Sequence, residues 1–419
     1  MRRLLVVLVG LSCVGVGTLT VLAAASAAVE LSQTLPARGF EARKGAEDKL
    51  EMPKDQAKEW RINALHRAKV WADPVVPVGE ADLRNNPQGP GSFPTEAEVI
   101  CKFLPGKTSG RTPKFECVFE GGDVLKVKYG RNPEIQTEVA ATRLLSALGF
   151  GADTVYALRR VRCFGCPEDP YVMLQCLSSA FEEVRRDCEL LYGKAGPTGA
   201  FEVKVDTSKY VDFEGVAIER RKHGRVIEAE DGQGWSFDEL DEAGETPLGA
   251  TRAERDALRL VAVFLNNWDT RRDNQRLICL RGRGTRDPNE WCQAAFAYMH
   301  DVGATFGRVG GEKEERKLDL EGWASVPIWK DQVACRVHIE KPRFHGATFG
   351  EATISESGRA LLAGLLTQLQ ERQIRDLFEG ARFPDVDGAS ASDKDVGRWV
   401  GAFQAKVRQI AESGPCPAS

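Results

Sequence analysis

The stretch "VFLNNWDTRRDNQRLICL", Val263 to Leu280, decides how this chain is read. An apolar run ends at Asn266 and Asn267, a Trp-Asp pair follows, and after Asn274 the chain turns apolar again. Asp269, Asp273 and Asn274 therefore stand between two segments that look buried. Asp and Asn suit a helix end and its turn, because their side chains satisfy backbone groups there. They equally suit a site where an acid takes a proton and an amide oxygen holds a metal. The sequence on either side distinguishes the two.

Upstream, Thr251-Arg-Ala-Glu254 has the form of a capping box and opens a helix over "RDALRLVAVFLNNW". Downstream, "QRLICL" is strand-like, and "FAYMHDVGATFG" runs from a strand into a Gly-containing loop. Two amphipathic helices close the chain, one carrying Leu361, Leu362, Leu365, Leu366 and Leu369, the other Val396, Trp399, Val400, Phe403, Val407 and Ile410. Such stripes are core faces. Between them and the opening stretch, about 308–353 reads as irregular chain.

The earlier part is sheet-like. "EVICKFL", "KFECVFEG" and "DVLKVKYG" alternate and are bounded by Gly and Pro, which predicts strands. "PEIQTEVAATRLLSALGF" follows as an amphipathic helix ending near Gly149. "DTVYALRRVRCF" and "YVDFEGVAIERRKHGRVI" predict further strands around a Cys-containing insertion. Ahead of these, Trp60, Ala64, Ala68 and Trp71 share a helical face, and the Pro/Gly/Asn-rich 72–95 reads as a linker. The order of strands, helix, strands, helices predicts an α+β protein with a sheet-rich first lobe and a helical second lobe.

The first residues combine a basic start, a long apolar run and Ala25-Ser26-Ala27, which has the A-x-A form of a cleavage site. This predicts a signal peptide over 1–27, with an uncleaved membrane anchor as the alternative. Export would leave ten of eleven cysteines, an even number that favours disulfides over zinc. Cys163 and Cys166 read as a local loop staple, and Cys101 with Cys117 and Cys279 with Cys292 flank turns between strand-like runs. The net charge of -4, without a long basic stripe, argues against nucleic acid as a partner.

Candidate chemistry gathers in three places. Gly106-Lys107-Thr108 resembles part of a Walker motif, but position 101 is Cys and the segment joins two strands, so that reading fails. A strand-turn-strand can still cover phosphates with backbone N–H groups. Lys126 and Lys128 share one face of a strand, and Glu134 and Glu138 lie in the first turns of the next helix. A strand Lys fixed by a helix Glu is a recurring phosphate-gripping device. Asp269 and Asn274 have the D-x-x-x-x-N spacing in which the acid receives a hydroxyl proton and the amide binds magnesium. Asp301-Val302-Gly303 has the D-x-G form of a metal-binding Asp, and hard oxygen donors suit that ion.

Taken in order, "LKVKYG", "EVAATRLLSALGF", "NNWDTRRDNQRL" and "HDVGATFG" resemble the atypical branch of the protein-kinase-like superfamily. That branch includes secretory-pathway kinases related to Golgi casein kinase, type II phosphatidylinositol 4-kinases and HipA toxin kinases. The resemblance covers about 96–310. It implies a two-lobed protein-kinase-like fold, with a leader helix and linker over 28–95, an N-lobe over 96–235 and a helical C-lobe over 236–419. It implies Lys126 as the nucleotide-gripping lysine, with Lys128 as the alternative, and Glu138 as its partner. It implies Asp269 as catalytic acid and Asn274 and Asp301 as ligands of Mg²⁺ or Mn²⁺. The implied activity is transfer of the ATP γ-phosphoryl group to a hydroxyl acceptor, first a protein side chain, then a lipid or sugar. Asn267-Trp268-Asp269 stands where many kinases have His-Arg-Asp. An exported kinase-fold binding protein without catalysis is the second expectation, and AMP transfer the third. Asp273 is expected to be solvated or paired with an Arg, and His300 to be structural.

Overall fold

The computed structural model describes Phe40, Leu50 and residues 52–106, 110–195, 201–203, 205–228, 234–243, 246–282, 287–307, 317–339 and 347–417. The signal or anchor segment, Cys13, most of the leader, Lys107 and Thr108 lie outside them.

Helix α1, Ala57–His66, buries Trp60, Ala64 and Leu65. The strands β1 (Glu98–Leu104), β2 (Lys114–Phe119) and β3 (Val124–Lys128) follow, then helix α2 (Glu134–Ala147) and strand β4 (Thr154–Phe164). An insertion with helices α3 (Pro170–Leu177) and α4 (Glu182–Tyr192) precedes strand β5 (Tyr210–Arg220). The five strands close into a barrel in the order β1-β2-β3-β5-β4, with β4 returning to β1 in parallel. Alternation along each strand sets what fills it. Val99, Cys101 and Phe103 of β1 and Leu125 and Val127 of β3 belong to one core cluster with Phe115, Tyr129 and Phe213. Lys126 and Lys128 are thereby left on the opposite face of β3, and Lys128 reaches Glu138 of α2. Helix α2 stops where Gly149 takes φ +86, and a side chain there would start 2.1 Å from the Ala72 carbonyl oxygen.

The second part is helical around α5 (Arg252–Leu265), whose Thr251–Glu254 capping box is present as the sequence predicts. Strands β6 (Gln275–Arg281) and β7 (Ala294–Met299) form a hairpin after the Asp269 loop. Together with the short strands Ala68–Lys69 and Arg225–Val226 they make a four-stranded sheet. Since Arg225–Val226 already pairs with β6, the chain leaves the barrel at 221–224, ahead of the expected boundary at 236. Helices α6 (Glu356–Leu366), α7 (Glu371–Gly380) and α8 (Val396–Ala411) complete this part. The hydrophobic periodicity predicts two closing helices. Between them stands α7, a ten-residue helix that buries Ile374, Leu377 and Phe378. Around it Phe264, Phe306, Phe383, Trp399 and Phe403 form ring contacts, each pair worth about 0.5–1.5 kcal/mol beyond its area burial. The α+β class, sheet-rich first and helical second, is the one the sequence implies.

The Pro/Gly-rich stretch has almost no regular structure, as a linker would, yet it is fastened to both parts. The Asn86 amide donates to the Ala157 carbonyl at 2.8 Å, and its oxygen accepts from Ala157 N–H at 3.0 Å and from Arg143 at 2.8 Å. The Gln373 amide donates to the carbonyls of Val78 and Ala81, both at 2.9 Å. Five disulfides join Cys101–Cys117, Cys163–Cys166, Cys176–Cys188, Cys279–Cys292 and Cys335–Cys416. No helix among the described residues is long and apolar enough to cross a membrane.

Candidate active site

Two lysines on one strand face compete for one helix carboxylate. Lys128 Nζ donates to Glu138 at 2.6 Å, and both side chains are almost fully buried. The expected pairing of Lys126 with Glu138 is not made. Lys126 donates instead to Glu219 of β5 at 2.7 Å and stays partly exposed. The cause is register: α2 sets Glu138 over position 128, while the β3–β5 pairing puts Glu219 directly across from Lys126. Glu219 also lies 3.4 Å from Lys128, so the two lysines and two glutamates form one network.

Asp301 follows β7 and enters this field. Its backbone N–H and that of His300 both donate to the Asn274 carbonyl, at 3.2 and 2.9 Å. The Asn274 side-chain amide donates to the Asp269 carbonyl at 3.0 Å, which folds the Asp269–Asn274 turn back on itself. Asp269, Asn274 and Asp301 are thus tied through backbone groups. The Asp301 loop is also bolted to α2. Thr137 Oγ1 donates to the Gly303 carbonyl at 2.6 Å, and a side chain at 303 would start 2.3 Å from Glu134 Cγ. Glycine at 303 is what lets the loop approach this closely.

The charges are strongly coupled. Burial opposes the charged form of Lys128, but Glu138, Glu219, Asp301 and Glu134 outweigh it and hold the ammonium well above its ordinary pKa. Burial pushes Glu138 up more than Lys128 pulls it down, with Asp301 and Glu219 adding to the rise. Glu219 is buried too, but Lys126, Lys128 and His300 hold it well below the usual carboxylate range. For Asp301 burial is again outweighed, by Lys128, Lys114, His300 and Lys126, so its carboxyl stays ionised. It makes no ion pair within 4.0 Å among the described residues.

Asp269 has a different environment. Burial raises its pKa, and Arg271 works against that through a 2.8 Å hydrogen bond from Nε. Asp273 is more than half exposed and lies 3.7 Å from the same arginine, as the sequence reading expected of it.

The residues suit a hard divalent cation. The Asn274 amide uses its N–H group on Asp269, leaving the oxygen as a donor, and Asp301 supplies an ionised carboxylate without a competing cation at contact distance. A second cluster has metal-ligand chemistry but a different fill: ligand atoms of Asp153, Glu219 and His300 lie within 4.8 Å of one another. Glu219 already carries Lys126, His300 Nδ1 is bonded to Asp153, and Asp153 accepts from the Tyr298 hydroxyl at 2.7 Å and from Lys222 N–H at 2.8 Å. Protein cations and donors satisfy these groups, so this is a charge network joining the barrel to β7. A surface groove of about 490 Å³ beside α8, lined by Trp329 and Arg408, contains none of the residues above.

Sequence reasoning missed Glu219, Asp153 and Lys114. Glu219 sits in a strand where alternation alone marks it as surface, and its partner Lys126 is 93 residues away.

No protein-family model matches the chain, and no curated protein matches it by sequence. Among solved structures, the Golgi casein kinase with Mn/ADP bound is similar over 88% of this chain and 77% of that one, at 12% identity and a TM-score of 0.32. A second crystal structure of the Golgi casein kinase gives 11% identity, 88% and 78% coverage, and a TM-score of 0.32. Those values are too low for the likeness to carry a functional conclusion, which has to rest on the side chains themselves.

Proposed function

We propose that this protein is an exported kinase-like phosphotransferase that moves the γ-phosphoryl group of ATP to a hydroxyl, with a protein side chain as the first-choice acceptor. The observation that carries this reading is the buried Lys128–Glu138 pair beside an ionised Asp301 that is tied to the Asp269–Asn274 turn. Lys128 takes the role expected of Lys126, orienting phosphate oxygens while Glu138 fixes it. Asn274 and Asp301 would hold Mg²⁺ or Mn²⁺, which neutralises phosphate charge when bound. The acceptor oxygen bonds to Pγ as the bond from Pγ to the β–γ bridging oxygen breaks. ADP leaves, and the acceptor proton passes to the Asp269 carboxylate. Burial makes that carboxylate a stronger base than a free one. Disulfide bonding of all ten cysteines from Cys101 onward suits an oxidising compartment.

Two observations favour a second reading, a binding protein without catalysis. Arg271 occupies the Asp269 carboxylate, and Lys128 is almost sealed from solvent. The test compares wild type with Asp301→Ala in Mn-ATP or Mg-ATP, following melting temperature and phosphate transfer to protein. The phosphotransferase reading expects a ligand-induced rise and transfer in wild type, both lost in the variant. Binding without transfer would favour the second reading. No nucleotide binding to wild type would sink the phosphotransferase reading and leave the second.

A further inference from the structure

Three lysines meet the charged network, and two of them are matched. Lys126 has Glu219 and Lys128 has Glu138. Lys114, at the start of β2, pairs across the barrel wall with Lys128 in the strand register and is 9% exposed. Its ammonium makes no ion pair and no hydrogen bond among the described residues. Its anionic neighbours are Asp301 and Glu134, yet neither comes within ion-pair distance, and Glu134 already accepts from Thr112. An ammonium largely withdrawn from water without a counter-charge is costly, and the Lys114 ammonium keeps only a narrow opening to solvent. Such a group is most readily explained if a ligand anion completes it.

The surroundings specify the anion. Gly110, at φ +78 in the turn between β1 and β2, lies over the Lys114 ammonium, and a Cβ added there would start 3.2 Å from Nζ. That turn is pinned from the insertion, where the Tyr171 hydroxyl donates to the Gly110 carbonyl at 2.8 Å. Lys128 is its cross-strand neighbour, and Asp301, the proposed metal ligand, is close enough to act on the same ammonium. A group held between a metal-binding carboxylate and two ammonium ions carries several negative charges in a small volume. We propose that Lys114 contacts the terminal phosphoryl group of the bound nucleoside triphosphate. This assignment rests on the phosphotransferase reading above.

The experiment measures binding of Mn-ATP, Mn-ADP, adenosine and inorganic tripolyphosphate to wild type, Lys114→Met and Lys114→Arg. Lys114→Met is expected to weaken ATP by about tenfold or more, the effect of losing one charge-assisted contact, while ADP changes less and adenosine not at all. Lys114→Arg should recover most of the loss. Without ligand, Lys114→Met should melt no lower than wild type, since an unmatched buried charge has gone; a merely structural lysine would give the opposite. Unchanged ATP affinity, equal loss of all ligands, or a lower melting point without ligand would each overturn the assignment. If wild type binds no nucleotide but binds tripolyphosphate in a Lys114-dependent way, the ATP reading fails and the anion contact stands. If wild type binds tripolyphosphate no better than Lys114→Met does, the contact fails as well.

Discussion

Replacing Lys128 with Met keeps the length of the side chain and removes its charge. Glu138 and Glu219 lie 2.6 and 3.4 Å from the ammonium, and Lys128 and Glu138 are 1% and 2% exposed. Removing one partner of a buried ion pair leaves the other uncompensated, at a cost of about 3–5 kcal/mol. The same change at Lys126 removes a partly exposed partner, and Glu219 keeps Lys128 nearby, so its cost is about 1 kcal/mol or less. The double variant Lys128→Met/Glu138→Gln removes both charges of the inner pair and should recover a large part of the single loss. The sign of the pH effect follows from Glu138. Its pKa is already raised, so in Lys128→Met it destabilises the fold above its unfolded value, near 4.5, and less as pH falls toward it. Urea unfolding of the disulfide-intact protein, followed by the fluorescence of its eight tryptophans, measures all three variants at pH 7 and pH 5. Equal costs at Lys126 and Lys128, or a double variant no better than the single, would refute the assignment of Lys128 as the inner partner.

Two further outcomes test the fold. Lys406 of α8 is 1% exposed, its ammonium donates to the Val326 carbonyl at 2.6 Å, and burial brings its pKa down from 10.5 to about 8. The unfolded chain therefore binds more protons between pH 8 and 10.5, and stability rises with pH across that window. Lys406→Met should gain about 2 kcal/mol at pH 7, after subtracting about 1 for the lost hydrogen bond, and the gain should vanish toward pH 10.5; a pH-independent difference in unfolding free energy would count against it. The Cys335–Cys416 disulfide closes a separation of 81 residues, so the Cys335→Ser/Cys416→Ser variant should lose about 4.5 kcal/mol by the chain-entropy relation, measured by urea unfolding.

Much of this was legible from local pattern. Alternation in "EVICKFL" and "VLKVK" marks the barrel strands, and Thr251–Glu254 marks the start of α5, because each signal lies within a few residues. Asp269, Asn274 and Asp301 could be singled out by spacing, since one turn and one hairpin hold them. The choice between Lys126 and Lys128 could not be read. Side chains two apart on a strand share a face, and only the packing of α2 separates them. Glu219 and Lys114 were invisible for a related reason: a charge in an alternating strand looks solvated until the neighbouring strand is placed. The 72–95 stretch read as a linker because composition reports local freedom, whereas Asn86 and Gln373 show that distant partners hold it.

That stretch has a mechanical meaning. Arg143 of α2 donates to the Leu83 and Arg84 carbonyls, and Arg84 in turn pairs with Asp376 and Glu379 of α7. The chain from Val78 to Asn86 therefore runs like a splint from the helical half to the barrel wall. Pro74 and Pro77 on one side and Pro87, Pro90 and Pro94 on the other restrict the chain that flanks it before folding begins, which lowers the entropy lost when it is set in place. The barrel and the helical half are thus joined by a strip of chain as well as by their direct packing. Barrel and helical half are therefore coupled through Asn86 and Gln373 as well as through the charged residues that would do the chemistry.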